Sequence, residues 1–197
     1  LKRFNFSEGP RIECVTLSDG PLGIESQADI ESVTIPLTKM VSKKKEVDAF
    51  VIACYSDPGL HVCREASEKP VFGIQECGIL TAMSRGDRFG VIALQESSMR
   101  RHLRYIRQMG VMERLAGERV ANLSVRESVS GKKTFEKLLS AAKKLRDLDQ
   151  AETIILGCAG MAKHRTRLES KIGIPVIEPV QSAVSMAMHS LLSTRQH

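Results

Sequence analysis

Apolar residues along this chain fall into two patterns, and their alternation predicts the fold. Short continuous runs, AFVIAC (49–54), RFGVIAL (88–94) and TIILGC (153–158), are what strands covered on both faces require. RIECVTL (11–17), PVFGI (70–74), RVANLSV (119–125) and PVIEP (175–179) complete the expected strands. Between the runs the period changes. Ile30, Val33, Leu37, Met40 and Val41 share one helical face, and Pro36 within it predicts a kink or a late start. Further helices are expected over 60–68, from about residue 75 to about Arg85, over 132–147, 161–171 and 181–192. One more is expected from a cap at Ser97 or Ser98 to a C′ glycine at Gly110. Strands alternating with helices of this length predict an α/β fold with mainly parallel sheets.

The pattern also repeats. Cys54 and Cys158 each end an apolar strand, and Pro70 and Pro175 open the next strand at nearly the same offset. Each cysteine is followed by a glycine (Gly59, Gly160), a helical stretch and then a Pro-Val strand. Two halves of about 100 residues suit the usual size of a domain. The expectation is two pseudosymmetric lobes, each a mainly parallel sheet flanked by helices, with the active site in the cleft between them. Their expected bounds are 1–92 with 181–197, and 93–180. In the second half, strand 88–94 and its helix precede strand 119–125. The matching strand of the first half would fall ahead of Leu1, so an N-terminal strand, loop and helix are expected to be lacking.

Composition narrows the functional classes. No apolar run approaches the roughly 18 residues of a membrane span, and LKRFNFSEGPR has no apolar centre of a signal peptide, so the cytoplasm is expected and no membrane partner is. Five cysteines, an odd number, read as free thiols of a reducing compartment. No Cys or His spacing suits a metal. The net charge of +6 is scattered, and with two Tyr and no Trp there is little for nucleotide bases to stack on, so no nucleic-acid partner is expected. RRHLRYIR (100–107) places Leu103 and Ile106 at helical spacing; it reads as a solvated helix face or, more sharply, as a basic rim that draws in small anions.

Parallel sheets hold ligands beyond the C-terminal ends of their strands, where Cys54 and Cys158 are expected. Helix N-termini there would lower the thiol pKa. Two acid/base groups on opposite faces of a substrate suit inversion of a carbon that bears an acidic proton, one thiolate removing the proton and the other thiol returning one. Backbone N–H groups at Ala159 and Gly160 would steady the intervening enolate, and flanking carbonyls make a cofactor unnecessary. Cys14, Cys63 and Cys77 read as small hydrophobes. His61 and His164 read as surface helix residues, and Glu76 and Glu178 as groups that orient substrate or hold a loop. SGKKTF (130–135) lacks the spacing of a phosphate loop and reads as a helix start.

VIACYSDPGL, PVFGIQEC, ILGCAGM and IPVIEPVQSAV, with GPLGIES, resemble the hydantoin and allantoin racemase branch of the aspartate/glutamate racemase superfamily. The resemblance covers almost the whole chain from about Gly20. It implies a cofactor-independent racemase of two α/β domains, whose paired cysteines match Cys54 and Cys158. It implies a 5-monosubstituted hydantoin or a related cyclic ureide as substrate, with Ser26 of the Gly20–Ser26 loop, Ser56, Asp57, Ser97, Ser98, Ala159 and Gly160 lining the pocket. Two departures stand out. The family usually opens with a strand and an Asn-Pro-Asn loop, and Ala93-Leu94 stands where many relatives carry a Thr pair, so that Ser97 or Ser98 would supply the hydroxyl. Arylmalonate decarboxylases share the fold but keep only the second cysteine, so Cys54 favours racemisation. The alternatives are allantoin, an acidic amino acid, which would need cations such as Arg11, Arg100 or Arg101 in the cleft, and a two-lobed binding protein without turnover. A symmetric homo-oligomer is a prior for such folds and not a reading of these residues.

Overall fold

The computed structural model describes residues 1, 4, 6–7 and 9–194. Its elements alternate as the apolar runs require: α1 (Gln27–Lys43), β1 (Phe50–Ile52), α2 (Leu60–Ala66), β2 (Val71–Gly73), α3 (Ile74–Met83), β3 (Phe89–Ala93), α4 (Glu96–Gln108), β4 (Leu115–Val120), α5 (Val125–Ser130), α6 (Thr134–Asp147), β5 (Thr153–Leu156), α7 (Arg165–Ile172), β6 (Val176–Ile177) and α8 (Pro179–Thr194). The 3₁₀ helices Met112–Arg114 and Ala159–His164 lie between these elements.

All strand pairs are parallel and form two sheets, β1-β2 and β4-β3-β5-β6. Every residue of β3 and β5 is buried, which is why these runs show no polar alternation. Side chains alternate between two cores instead. Ile92, Ile154 and Leu156 meet Leu138, Ala142 and Leu145 of α6 and Leu168 of α7 on one face. Val91 and Ile155 meet Ile74, Cys77 and Ile79 of α3 and Ala183 of α8 on the other. A smaller core of Val41, Ile52, Leu60, Cys63 and Val71 lies under the two-stranded sheet. Helices α3 and α8 pack on each other, α3 touches β2 and β5, and α8 returns to β1 and β2. These two helices tie the sheets together.

Several expectations are corrected. Residues 11–17 form no strand: apart from half-buried Leu17 they are exposed, and no described strand runs beside them to take their backbone hydrogen bonds. Helix α1 runs through Pro36, started by a capping box in which Asp29 N–H donates to Ser26 Oγ and Ser26 N–H to Asp29 Oδ2. Neither Ser97 nor Ser98 caps α4. Gln95 is its cap residue, and Ser98 sits three positions in, accepting from Gln95 N–H. Gly110 does close α4 in the left-handed region at φ 73°. The stretch read as strand 119–125 is strand only to Val120 and turns into α5, capped by Ser124 and Glu127. β3 pairs with β4 and β5 along its length, so the expected lobe boundary at 92–93 divides a strand that belongs wholly to the larger sheet.

Candidate active site

Cys54 and Cys158 occupy equivalent turns. Each lies two residues beyond a strand, after Ile52 of β1 and Leu156 of β5. In each turn the residue three positions on returns its N–H to the cysteine carbonyl, Asp57 to Cys54 at 3.0 Å and Met161 to Cys158 at 3.1 Å. In each, the N–H two positions on points at the sulfur, from Ser56 and from Gly160. Both thiols are half-buried, whereas Cys63 and Cys77 are fully buried in the cores and Cys14 is exposed. The two sulfurs lie close enough for a charge on Cys158 to oppose ionisation of Cys54.

The lowered pKa expected of these thiols is overturned. Burial pushes Cys54 up to about 12; the Ser56 N–H opposes the rise, Cys158 and Asp57 add to it, and Arg101 opposes it. Cys158 is also raised by burial, against the pull of the Gly160 N–H and Ser128. The physical reason is local. Helix α2 begins only at Leu60, and the turn after Cys158 is a short 3₁₀ helix, so no α-helix N-terminus lies directly behind either sulfur.

The expected pocket residues separate into those around the thiols and those that build the frame. Ser56 supplies its N–H to Cys54. Asp57, at φ 42°, is buried and accepts the N–H groups of Gln75 and Glu76, both at 2.9 Å, so it caps α3 from outside that helix. Burial raises its pKa to about 7, opposed by those two N–H donors. Ala159 and Gly160 form the half-buried turn after Cys158, and a Cβ on Gly160 would fall 2.3 Å from Ser128 Oγ. Ser26 is spent on the α1 cap. Ser98 is buried and donates to Gln95 O, so its hydroxyl serves its own helix. Exposed Ser97 reaches the Glu25 carbonyl at 3.5 Å, joining α4 to the loop before α1.

Two further side chains bear on the site: Ser128, which was not singled out from sequence, and Arg101, named from sequence only among the cations that an acidic amino-acid substrate would need. Ser128 of α5 is fully buried, donates to Val125 O at 2.6 Å and lies 3.7 Å from Cys158 Sγ. A thiol there can give its hydrogen to the serine oxygen, and the hydroxyl can turn towards a thiolate. The signal that could have found its helix is the capping-box pattern Ser124-Val-Arg-Glu127. Arg101 of α4 bears on Cys54; as the neighbour of buried His102, it sits at the edge of the amphipathic face. Glu76 is held by both Arg64 nitrogens, at 2.9 and 3.1 Å, and by Tyr105 OH at 3.0 Å, which makes it a brace between α2, α3 and α4. Glu178 caps α8 by accepting from Val180 and Gln181 N–H. His61 stacks on Tyr105, and His164 lies against Phe135. Among the described residues, no group of three or more His, Cys, Asp or Glu is arranged to hold a metal ion, and no helix is long and apolar enough to cross a membrane.

Parallel sheets joined by packed helices, with cysteines at equivalent strand ends, define a two-lobed α/β protein. The Asp/Glu/Hydantoin racemase family model matches residues 1–187, and the chain belongs to that family, an isomerase of the racemase type. It is 35% identical over 184 residues to a hydantoin racemase of Paenarthrobacter aurescens, covering 91% of this chain and 78% of that one. Among solved structures, allantoin racemase from Pseudomonas fluorescens superposes with a TM-score of 0.85 at 26% identity, over 93% of this chain and 78% of that chain. Allantoin racemase from Klebsiella pneumoniae gives 0.84 at 28% identity, over 89% and 73%.

Proposed function

We propose that this chain racemises 5-monosubstituted hydantoins without a cofactor, using Cys54 and Cys158 as opposed acid and base. The observation that carries this reading is the equivalence of the two turns: same strand-end position, same carbonyl hydrogen bond, same N–H aimed at sulfur. The C5 proton of a hydantoin is acidified by the adjacent carbonyl. A thiolate on one face removes it, and the thiol on the other face delivers a proton to the planar enolate. The coupling between the sulfurs fits this division, because charge on Cys158 opposes charge on Cys54 and one thiolate beside one thiol is the favoured ionised state. Raised thiol pKa values make each thiolate scarcer and a stronger base. The two lobes are those around the two sheets, one on β1 and β2 and the other on β4, β3, β5 and β6, so the division falls ahead of Phe89 and β3 stays whole in the second.

Allantoin is itself a hydantoin, substituted at C5 by a ureido group, and the likeness to two allantoin racemase structures puts it on the substrate panel. The test is incubation of single enantiomers in D2O, following optical rotation and C5 deuteration by NMR. Wild-type protein should abolish rotation. Cys54→Ser and Cys158→Ser should each stop racemisation yet still exchange the C5 proton of one enantiomer, opposite for the two variants. Exchange at the buffer rate across the panel would remove the proposal.

A further inference from the structure

Arg101 is a cation that bears on Cys54 and whose own bonds leave part of it unused. It stands one turn into α4, where its Nη1 donates to Ser97 O at 3.0 Å. Its Nε is buried and has no hydrogen-bond partner among the described residues. No carboxylate among the described residues pairs with it. Asp29 is near enough to act on it through space, but that carboxylate already accepts the N–H groups of Glu25 and Ser26. Arg104, the other charge acting on it, is a like charge, with its own hydrogen bond to Gln27. A buried guanidinium N–H without an acceptor is costly, and such a group is kept where a ligand supplies the acceptor. Its neighbour on the site is Cys54, since Arg101 and Cys54 each act on the other through space.

We propose that Arg101 is a catalytic residue that binds the substrate oxygen on which negative charge develops when the proton beside Cys54 is removed. This rests on the racemase reading and specifies how the site tolerates the intermediate. The Cys54 thiolate takes the C5 proton, the C–H electron pair becomes the C5–C4 double bond, and the C4 carbonyl oxygen takes the charge, accepting from the unused Nε–H edge of Arg101. The Cys158 thiol then gives its proton to the opposite face of C5, the electron pair returns to that bond, the carbonyl reforms, and Cys158 is left as thiolate. Charge is conserved, since one thiolate enters and one leaves. The same enolate forms in both directions, so Arg101 serves both enantiomers alike, whereas each cysteine serves them differently.

Arg101→Gln and Arg101→Ala, with Arg101→Lys as the conservative variant, test the assignment. Removal of a donor to a developing oxyanion typically costs a factor of about 10²–10³ in kcat. Arg101→Gln should lose that much for both enantiomers with KM little changed, Arg101→Lys should keep part of the rate, and guanidinium ion should restore part of it to Arg101→Ala. A measurement without substrate accompanies these: the pH dependence of iodoacetamide alkylation of Cys54, resolved by peptide mass spectrometry. The groups facing Cys54 are Cys158, Asp57 and Arg101. Loss of the arginine charge should therefore move the Cys54 midpoint upward and leave that of Cys158 in place. An active wild type whose Arg101→Gln variant stays within about threefold in kcat would overturn the assignment. So would a variant that loses activity without guanidinium rescue and without a shift at Cys54. A wild type that racemises no cyclic ureide, with the Cys54 shift intact, overturns the hydantoin reading and with it the enolate role, leaving only the arginine–thiol pairing.

Discussion

Burial sets the character of the two candidate bases. A thiol raised to about 12, as Cys54 is, stays protonated at neutral pH, and Cys158 is shifted the same way. The fraction of enzyme that carries one thiolate then grows about tenfold for each pH unit below the operative pKa. The sign is fixed: a raised acid pKa moves the rising limb of activity to higher pH. We expect kcat/KM to climb with a slope of about one from pH 7 through 9, with no plateau near the ordinary thiol value of about 8.5. A pH–rate profile on a single hydantoin enantiomer checks this, and a plateau complete by about pH 8 would contradict it. At this scale the sequence was half legible. The repeated strand-end position marked the thiols. It could not show that the helices start too far along to lower their pKa, because that depends on where each turn ends.

Among the elements, α3 shows how the frame and the site share parts. Its cap position is Gly73, which has no side chain to offer, and the cap comes from Asp57 in the turn that also presents the Ser56 N–H to Cys54. A Cβ on Gly73 would fall 2.2 Å from Asp57 Oδ2 and 2.3 Å from its Cγ, so the glycine is needed for the carboxylate to reach the helix. Gly73→Ala should expel that carboxylate and leave the buried N–H of Gln75 and the half-buried N–H of Glu76 unpaired, a cost of about 1–3 kcal/mol for a buried unsatisfied group. Urea denaturation should show the loss, and iodoacetamide should show altered Cys54 reactivity because the turn moves with Asp57. Unchanged stability would mean that the cap is replaced. Strands β3 and β5 were legible because burial on both faces writes itself as a continuous apolar run. Helix α5 was passed over because six residues hold too little periodicity, although its capping pattern was present. Segment 11–17 had a strand's composition but has no described neighbour to pair with, and pairing cannot be read from one segment alone.

For the whole molecule, the repeat foretold two related α/β units, while the contacts that join them were not foretold because they cross between distant segments. Tyr55 is the clearest of these. It follows Cys54 in the turn of the smaller sheet, yet its ring stands edge-on to His102 of α4, with centroids 5.0 Å apart and planes at 85°. His102 Nδ1 in turn lies 2.5 Å from Glu118 Oε1 of β4, and both side chains are buried. Burial, with Glu118 and Asp57 close by, holds the phenol well above its ordinary pKa, and its OH has no partner among the described residues. The ring therefore does the joining and the hydroxyl is a desolvated burden. Removing an unpaired buried hydroxyl relieves its desolvation, so Tyr55→Phe should leave stability unchanged or raise it by up to about 1 kcal/mol. Tyr55→Ala, which empties the joint, should cost about 3–5 kcal/mol, as loss of a buried aromatic ring does. Urea midpoints for the two variants separate the roles. A loss of more than about 1 kcal/mol in Tyr55→Phe would mean that the hydroxyl carries a hydrogen bond in solution, and that this joint is polar as well as packed.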